Sequence, residues 1–106
     1  MIELTNATNF EIKTEFWHIV KQDIHLPSMT ATSILMAGYG GYGVRLIINS
    51  QFYKYDELEA IIYKNNSNYS YKSDIDKNNS CILIPNGGNL NDYSIIIGPK
   101  RSNWNL

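Results

Sequence analysis

Residues able to carry chemistry are few in this chain, and they are scattered. The candidates are His18, His25, Cys81, the acidic run Asp56, Glu57 and Glu59, the segment Asp74-Ile75-Asp76-Lys77-Asn78, and the glycines Gly38, Gly40 and Gly43. The three glycines match the spacing G-x-G-x-x-G. In a dinucleotide site the third glycine opens a helix whose first amides hold the pyrophosphate. Here Gly43 opens Val44-Arg45-Leu46-Ile47-Ile48, a β-branched run that suits a strand. The kinase form does use a hairpin, but it needs valine two places after the last glycine, where Arg45 stands. Phosphate binding lacks its structural context on both counts.

The other constellations are also incomplete. Two histidines seven apart could share a helix face, whereas metal ligands on a helix sit four apart, and no further ligand lies nearby. The Asp74 segment begins like a calcium loop. Asn79 then takes the place of the turn glycine, and Pro85 that of the bidentate glutamate. Cys81 is the single cysteine, so it cannot form an internal disulfide. Its neighbours Ile82, Leu83 and Ile84 mark it as a small core residue rather than a nucleophile. Lys100, Arg101 and Trp104 combine phosphate-contacting and stacking types, but three residues are too few for a nucleic-acid surface. No catalytic residue, metal or cofactor is therefore assigned. Catalysis would require a site that only the fold assembles, around His18, His25 or Cys81.

Binding is the remaining class. Tyr39 and Tyr42 interrupt the glycines of the 38–43 loop. Exposed loop tyrosines offer large contact area at low rotamer cost. Asp56, Glu57 and Glu59 form the densest acidic cluster. They suit the start of a capped helix and could also meet a basic partner. These five residues are the candidate binding set. The expectation is a small non-enzymatic protein-interaction module. It would bind and occlude a partner protein, a toxin or effector enzyme, as bacterial immunity proteins and phage-encoded inhibitors do. The alternative is a small-molecule or nucleotide-binding module built on the 38–43 loop.

Length and composition set the frame. The chain has 106 residues, enough for one domain with one core over 1–106. Apolar residues make up 43%, so it folds, while only 18% are charged, with asparagine, serine and tyrosine supplying polarity. A formal net charge of −1 argues against general nucleic-acid binding. No run approaches a membrane span, and the first residues lack the pattern of a signal peptide, so a reducing cytoplasm is expected.

The elements that must hold these residues read as follows. Ile2 to Thr5 alternates as a strand. Phe10, Ile12, Thr14 and Phe16 alternate too, but Phe16, Val20 and Ile24 recur at helical spacing. Thr14 could cap and Pro27 stop a helix over Thr14 to Ile24. Ser33 to Asn49 reads as a central hairpin about the glycine loop. Asp56 to Lys64 has an N-cap, acidic first turn, apolar stripe and basic end, the signature of a second helix. Asn65 to Ser80 reads next as a long surface loop, or as a ragged edge strand around Tyr69 to Lys72. Two strands, Cys81 to Ile84 and Tyr93 to Ile97, then flank Asn86-Gly87 as a further hairpin. The resulting fold class is α+β, a mostly antiparallel sheet of 4–6 strands with two helices in βαββαβ-like order plus a C-terminal strand. The alternative is mainly β with one helix. An unpaired strand at a sheet edge could join two copies into a homodimer.

Overall fold

The computed structural model describes residues 1–35, 44–49, 58–68, 70–74, 80–84 and 93–99. Those residues form nine strands and no helix. In chain order they are β1 (Ile2–Asn6), β2 (Ile12–Trp17), β3 (Lys21–Leu26), β4 (Ala31–Ile34), β5 (Val44–Asn49), β6 (Leu58–Lys64), β7 (Ser70–Asp74), β8 (Ser80–Ile84) and β9 (Tyr93–Pro99). The α+β class with two helices is therefore overturned, and so is the single helix of the mainly β alternative.

The first expected helix, Thr14 to Ile24, is the β2–β3 hairpin, paired from Ile12↔Leu26 to Trp17↔Lys21. Period two prevails over period 3.6 because Ile12, Thr14 and Phe16 all turn inward and are buried. The helical stripe was coincidence: of its members Phe16 is buried and Val20 is half exposed. The second expected helix, Asp56 to Lys64, contains β6. Leu58, Glu59, Ala60, Ile61 and Ile62 are all buried, so both faces of this strand are covered. A continuous apolar run in a central strand has the same composition as a buried helix, and periodicity alone cannot separate them.

Two sheets result. One has the order β4-β1-β9-β6-β7, the other β3-β2-β5-β8. Neighbours are antiparallel except β1 and β9, which run parallel with Leu4 beside Ile95 and Asn6 beside Ile97. Leu4, Ile62 and Ile95 from the first sheet and Phe16, Leu46 and Ile48 from the second belong to one buried cluster. The sheets thus pack face to face as a β-sandwich around a shared core.

Both expected hairpins fail for one reason. β4 pairs with β1 and β5 with β2 and β8, so the strands flanking the glycine loop lie in different sheets. β8 and β9 are likewise divided between the sheets. A two-residue turn forces its strands together, whereas these longer spacers can span the ~10 Å between stacked sheets. Asn65 to Ser80 is not loop throughout: the alternative edge-strand reading holds at Ser70–Asp74, which is β7 at the sheet margin.

The ladders define two ends of the sandwich. At one, Ile2 pairs with Ile34, Tyr63 with Ser94 and Trp17 with Lys21 and Arg45. The Gln22 side-chain amide donates to the Leu35 carbonyl at 3.1 Å and ties the two sheets there. At the other end, Asn6 occupies the crossing from β1 to β2 and is fully buried. Its amide Nδ2 donates to the carbonyls of Phe10 (2.9 Å), Leu26 (3.0 Å) and Pro27 (3.1 Å). Its Oδ1 accepts from the Thr8 N–H (2.9 Å) and the Thr8 hydroxyl (2.6 Å). The Ser28 hydroxyl donates to the Thr8 carbonyl at 2.7 Å, and the Asn6 N–H to the Thr30 carbonyl at 2.8 Å. This network joins the β1–β2 and β3–β4 connections, and each buried side-chain polar atom in it is satisfied.

Candidate functional site

The Leu35 end collects exposed apolar surface. Five large apolar residues stand out into solvent among those described, and four are here: Met1 (65% exposed), Ile19 (45%), Val20 (52%) and Leu35 (67%). The fifth, Met29, is in the β3–β4 turn at the Asn6 end. Ile19 and Val20 occupy the reversal between β2 and β3, where the His18 N–H donates to the Val20 carbonyl at 3.4 Å. A reversal is normally polar or glycine-rich, and two consecutive β-branched apolar residues leave it with unburied hydrocarbon. Leu35 follows β4 directly, with its backbone carbonyl held by Gln22.

Trp17 borders this end on the outer surface of the β3-β2-β5-β8 sheet, beside Arg45 in the ladder. The Arg45 guanidinium carbon is 5.8 Å from the centre of the Trp17 ring, within cation–π range. The Trp17 indole N–H donates to Glu15 Oε1 at 3.0 Å. The ring is thus oriented from two sides, and tryptophan and arginine are the types that dominate binding energy at protein interfaces. Asn65 and Asn66 follow β6 at the same end. Asn66 takes a left-handed φ of 59°, and the Ser94 hydroxyl donates to Asn65 Oδ1 at 2.8 Å. Burial raises the Tyr63 hydroxyl pKa above the ordinary tyrosine value.

Of the five predicted binding residues, Tyr39, Tyr42, Asp56 and Glu57 lie outside the described residues. Their anchors are nevertheless placed. The segment bearing the tyrosines departs after Leu35 and returns at Val44, both at the Leu35 end. The segment bearing Asp56 and Glu57 runs between Asn49 and Leu58, both at the opposite end. Glu59 is in β6 opposite Gly98 and Asp74, and it is buried, only 3% exposed. It is not part of a solvated helix face. The described residues that flank the tyrosine segment and those that flank the acidic segment therefore lie at opposite ends of the fold.

The catalytic candidates do not converge either. His18 is in the β2–β3 reversal, whereas His25 lies across from Lys13 toward the Asn6 end. His25 Nε2 meets Glu11 Oε2 at 2.7 Å, both side chains about half exposed. Among the described residues no group of three His, Cys, Asp or Glu could hold a metal ion. Cys81 sits across from Leu46 in the ladder. Asp74 ends β7, and the rest of the calcium-like segment, like Lys100, Arg101 and Trp104, lies outside the described residues. The glycines themselves lie outside the described residues; strand β5 begins at Val44, where the dinucleotide form would need a helix, and β4 and β5 lie in different sheets, where the kinase form would need a hairpin.

Ile19, Val20, Leu35, Trp17 and Arg45 were not legible as a group. The signal for the first two was available: an apolar pair separating two alternating runs marks a reversal that leaves hydrocarbon outside. Among the described residues no helix is long and apolar enough to cross a membrane. Compared with known proteins, the chain matches no family model, no curated protein and no solved structure.

Proposed function

We propose that this chain is a non-enzymatic protein-interaction module that binds and occludes a partner protein, of inhibitor or immunity type, through the Leu35 end. The observation that carries the reading is the clustering of exposed Ile19, Val20 and Leu35 beside the oriented Trp17–Arg45 pair. Exposed apolar groups concentrated at one end are characteristic of a surface that is covered in use. Leu35 and Val44, which flank the tyrosine-bearing segment, both lie at this end. In β-sandwiches the connections at one end are the common place for recognition, because a rigid scaffold fixes their bases.

The test is capture from the native host with the full chain as bait, run with three variants. A defined protein retained by wild type and by Met29→Lys, but lost with Val20→Lys and with Leu35→Lys, supports the reading. Equal retention by all four, or no retained protein together with a small molecule that raises the melting temperature, overturns it.

A further inference from the structure

Among the described residues, the charges at the Leu35 end are one-sided. The outermost strand positions there are Lys21, Trp17 and Arg45 across one sheet, and Ile2, Ile34, Lys64 and Tyr93 in the other. Every charged side chain at those positions is a cation. Lys21, Arg45 and Lys64 are all exposed. The nearest described carboxylates stand further in. Glu3 is one residue in from Ile2, opposite Ser33 and Ser94. Glu15 is two residues in from Trp17 and accepts from its indole N–H at 3.0 Å. Asp23, two residues in from Lys21, meets it at 3.8 Å, but with side chains 44% and 76% exposed the pair is screened by water and neutralises the ammonium little. The segments 36–43 and 85–92, whose described flanks lie at this end, hold one charged residue between them, Asp92. Exposed Ile19, Val20 and Leu35 thus stand inside a cationic border, on a chain whose formal net charge is −1.

We infer that the partner bound through this end is a protein whose contact surface is acidic around an apolar centre. The inference rests on the partner-binding reading above and adds the chemistry of the surface that is met. The centre must be apolar because Ile19, Val20 and Leu35 gain free energy only where hydrocarbon leaves water. The surround must be acidic because a basic one would set like charges against Lys21, Arg45 and Lys64. The Arg45 guanidinium already lies 5.8 Å from the centre of the Trp17 ring, so it can receive a carboxylate with little further ordering. Border charges of this kind act mainly on the rate of encounter.

The test follows association and dissociation of the full chain with the protein it retains from the host, both purified. Raising salt from about 50 to about 500 mM should slow wild-type association at least about tenfold and leave dissociation nearly unchanged. Lys64→Glu and Lys21→Glu should each slow association about three- to tenfold at the lower salt. Lys13→Glu, exposed toward the Asn6 end, should not. A carbodiimide, which couples a lysine amine to a carboxylate it touches, should join Lys21 or Lys64 to the retained protein. Association indifferent to salt and to both reversals, with retention still lost in Val20→Lys, overturns this inference and leaves the partner-binding reading standing. No retained protein overturns both. Binding to vesicles of phosphatidylcholine with about one third phosphatidylserine, lost in Val20→Lys, overturns it in favour of a lipid surface.

Discussion

The two ends of the sandwich treat exposed and buried groups in opposite ways. At the Asn6 end a fully buried asparagine and Thr8 satisfy the backbone of two crossing connections, and every polar side-chain atom buried there has a partner. At the Leu35 end the chain leaves Ile19, Val20 and Leu35 in solvent and orients Trp17 beneath Arg45. One end is a closed corner whose residues answer to one another. The other carries groups that nothing described within the fold covers, which is why the partner-binding proposal is placed there. Satisfied buried polar groups and exposed apolar surface are separated along the length of the same strands.

Four substitutions would break or sharpen that contrast. The largest effect is expected from Asn6→Ala, which leaves carbonyls of Phe10, Leu26 and Pro27 without their donor. Equilibrium urea unfolding should show a loss of about 3 kcal/mol, since each stranded buried group costs about 1–3 kcal/mol. A loss below about 1 kcal/mol would mean the corner is not what closes that end. Met29 comes next. It holds a left-handed φ of 57° and is exposed, so glycine relieves backbone crowding without opening a cavity. Met29→Gly should stabilise by about 0.5–1 kcal/mol, the steric relief less the entropy glycine adds to the unfolded chain. An unchanged or lowered urea midpoint would show that the methionine side chain packs usefully after all. The smallest effect is expected at the Leu35 end. Val20→Lys and Leu35→Lys should each shift stability by no more than about 0.5 kcal/mol, as exposed positions do. A loss of about 2 kcal/mol at either would place that residue in the core and remove it from the interface argument.

Much of the strand content was readable and the architecture was not. Ile2 to Thr5, Val44 to Ile48, Cys81 to Ile84 and Tyr93 to Ile97 were each expected as strands and are found in β1, β5, β8 and β9. The two expected helices failed for different reasons. In Thr14 to Ile24 two periods overlapped, and the shared core took the period-two set Ile12, Thr14 and Phe16. In Asp56 to Lys64 the capping pattern was genuine chemistry, but β6 lies between β9 and β7, and burial on both faces outweighed it. The failed hairpins show the same limit, because a long connection between two apolar runs does not say whether they pair or cross.

Local side-chain stiffness and alternation, which act over a few residues, were enough for the sequence alone to determine where most of the described strands lie. Which strands pair, which ends face the same way, and which apolar residues stay outside are matters of contacts between distant positions. Only the tertiary structure decided them: the core selects one face of each strand, and the Asn6 corner orders the crossings at one end. That Leu35 and Val44 lie at one end and Asn49 and Leu58 at the other follows from that pairing. No neighbouring residue in the sequence could announce it, because parity and partner are set across the sheet rather than along the chain.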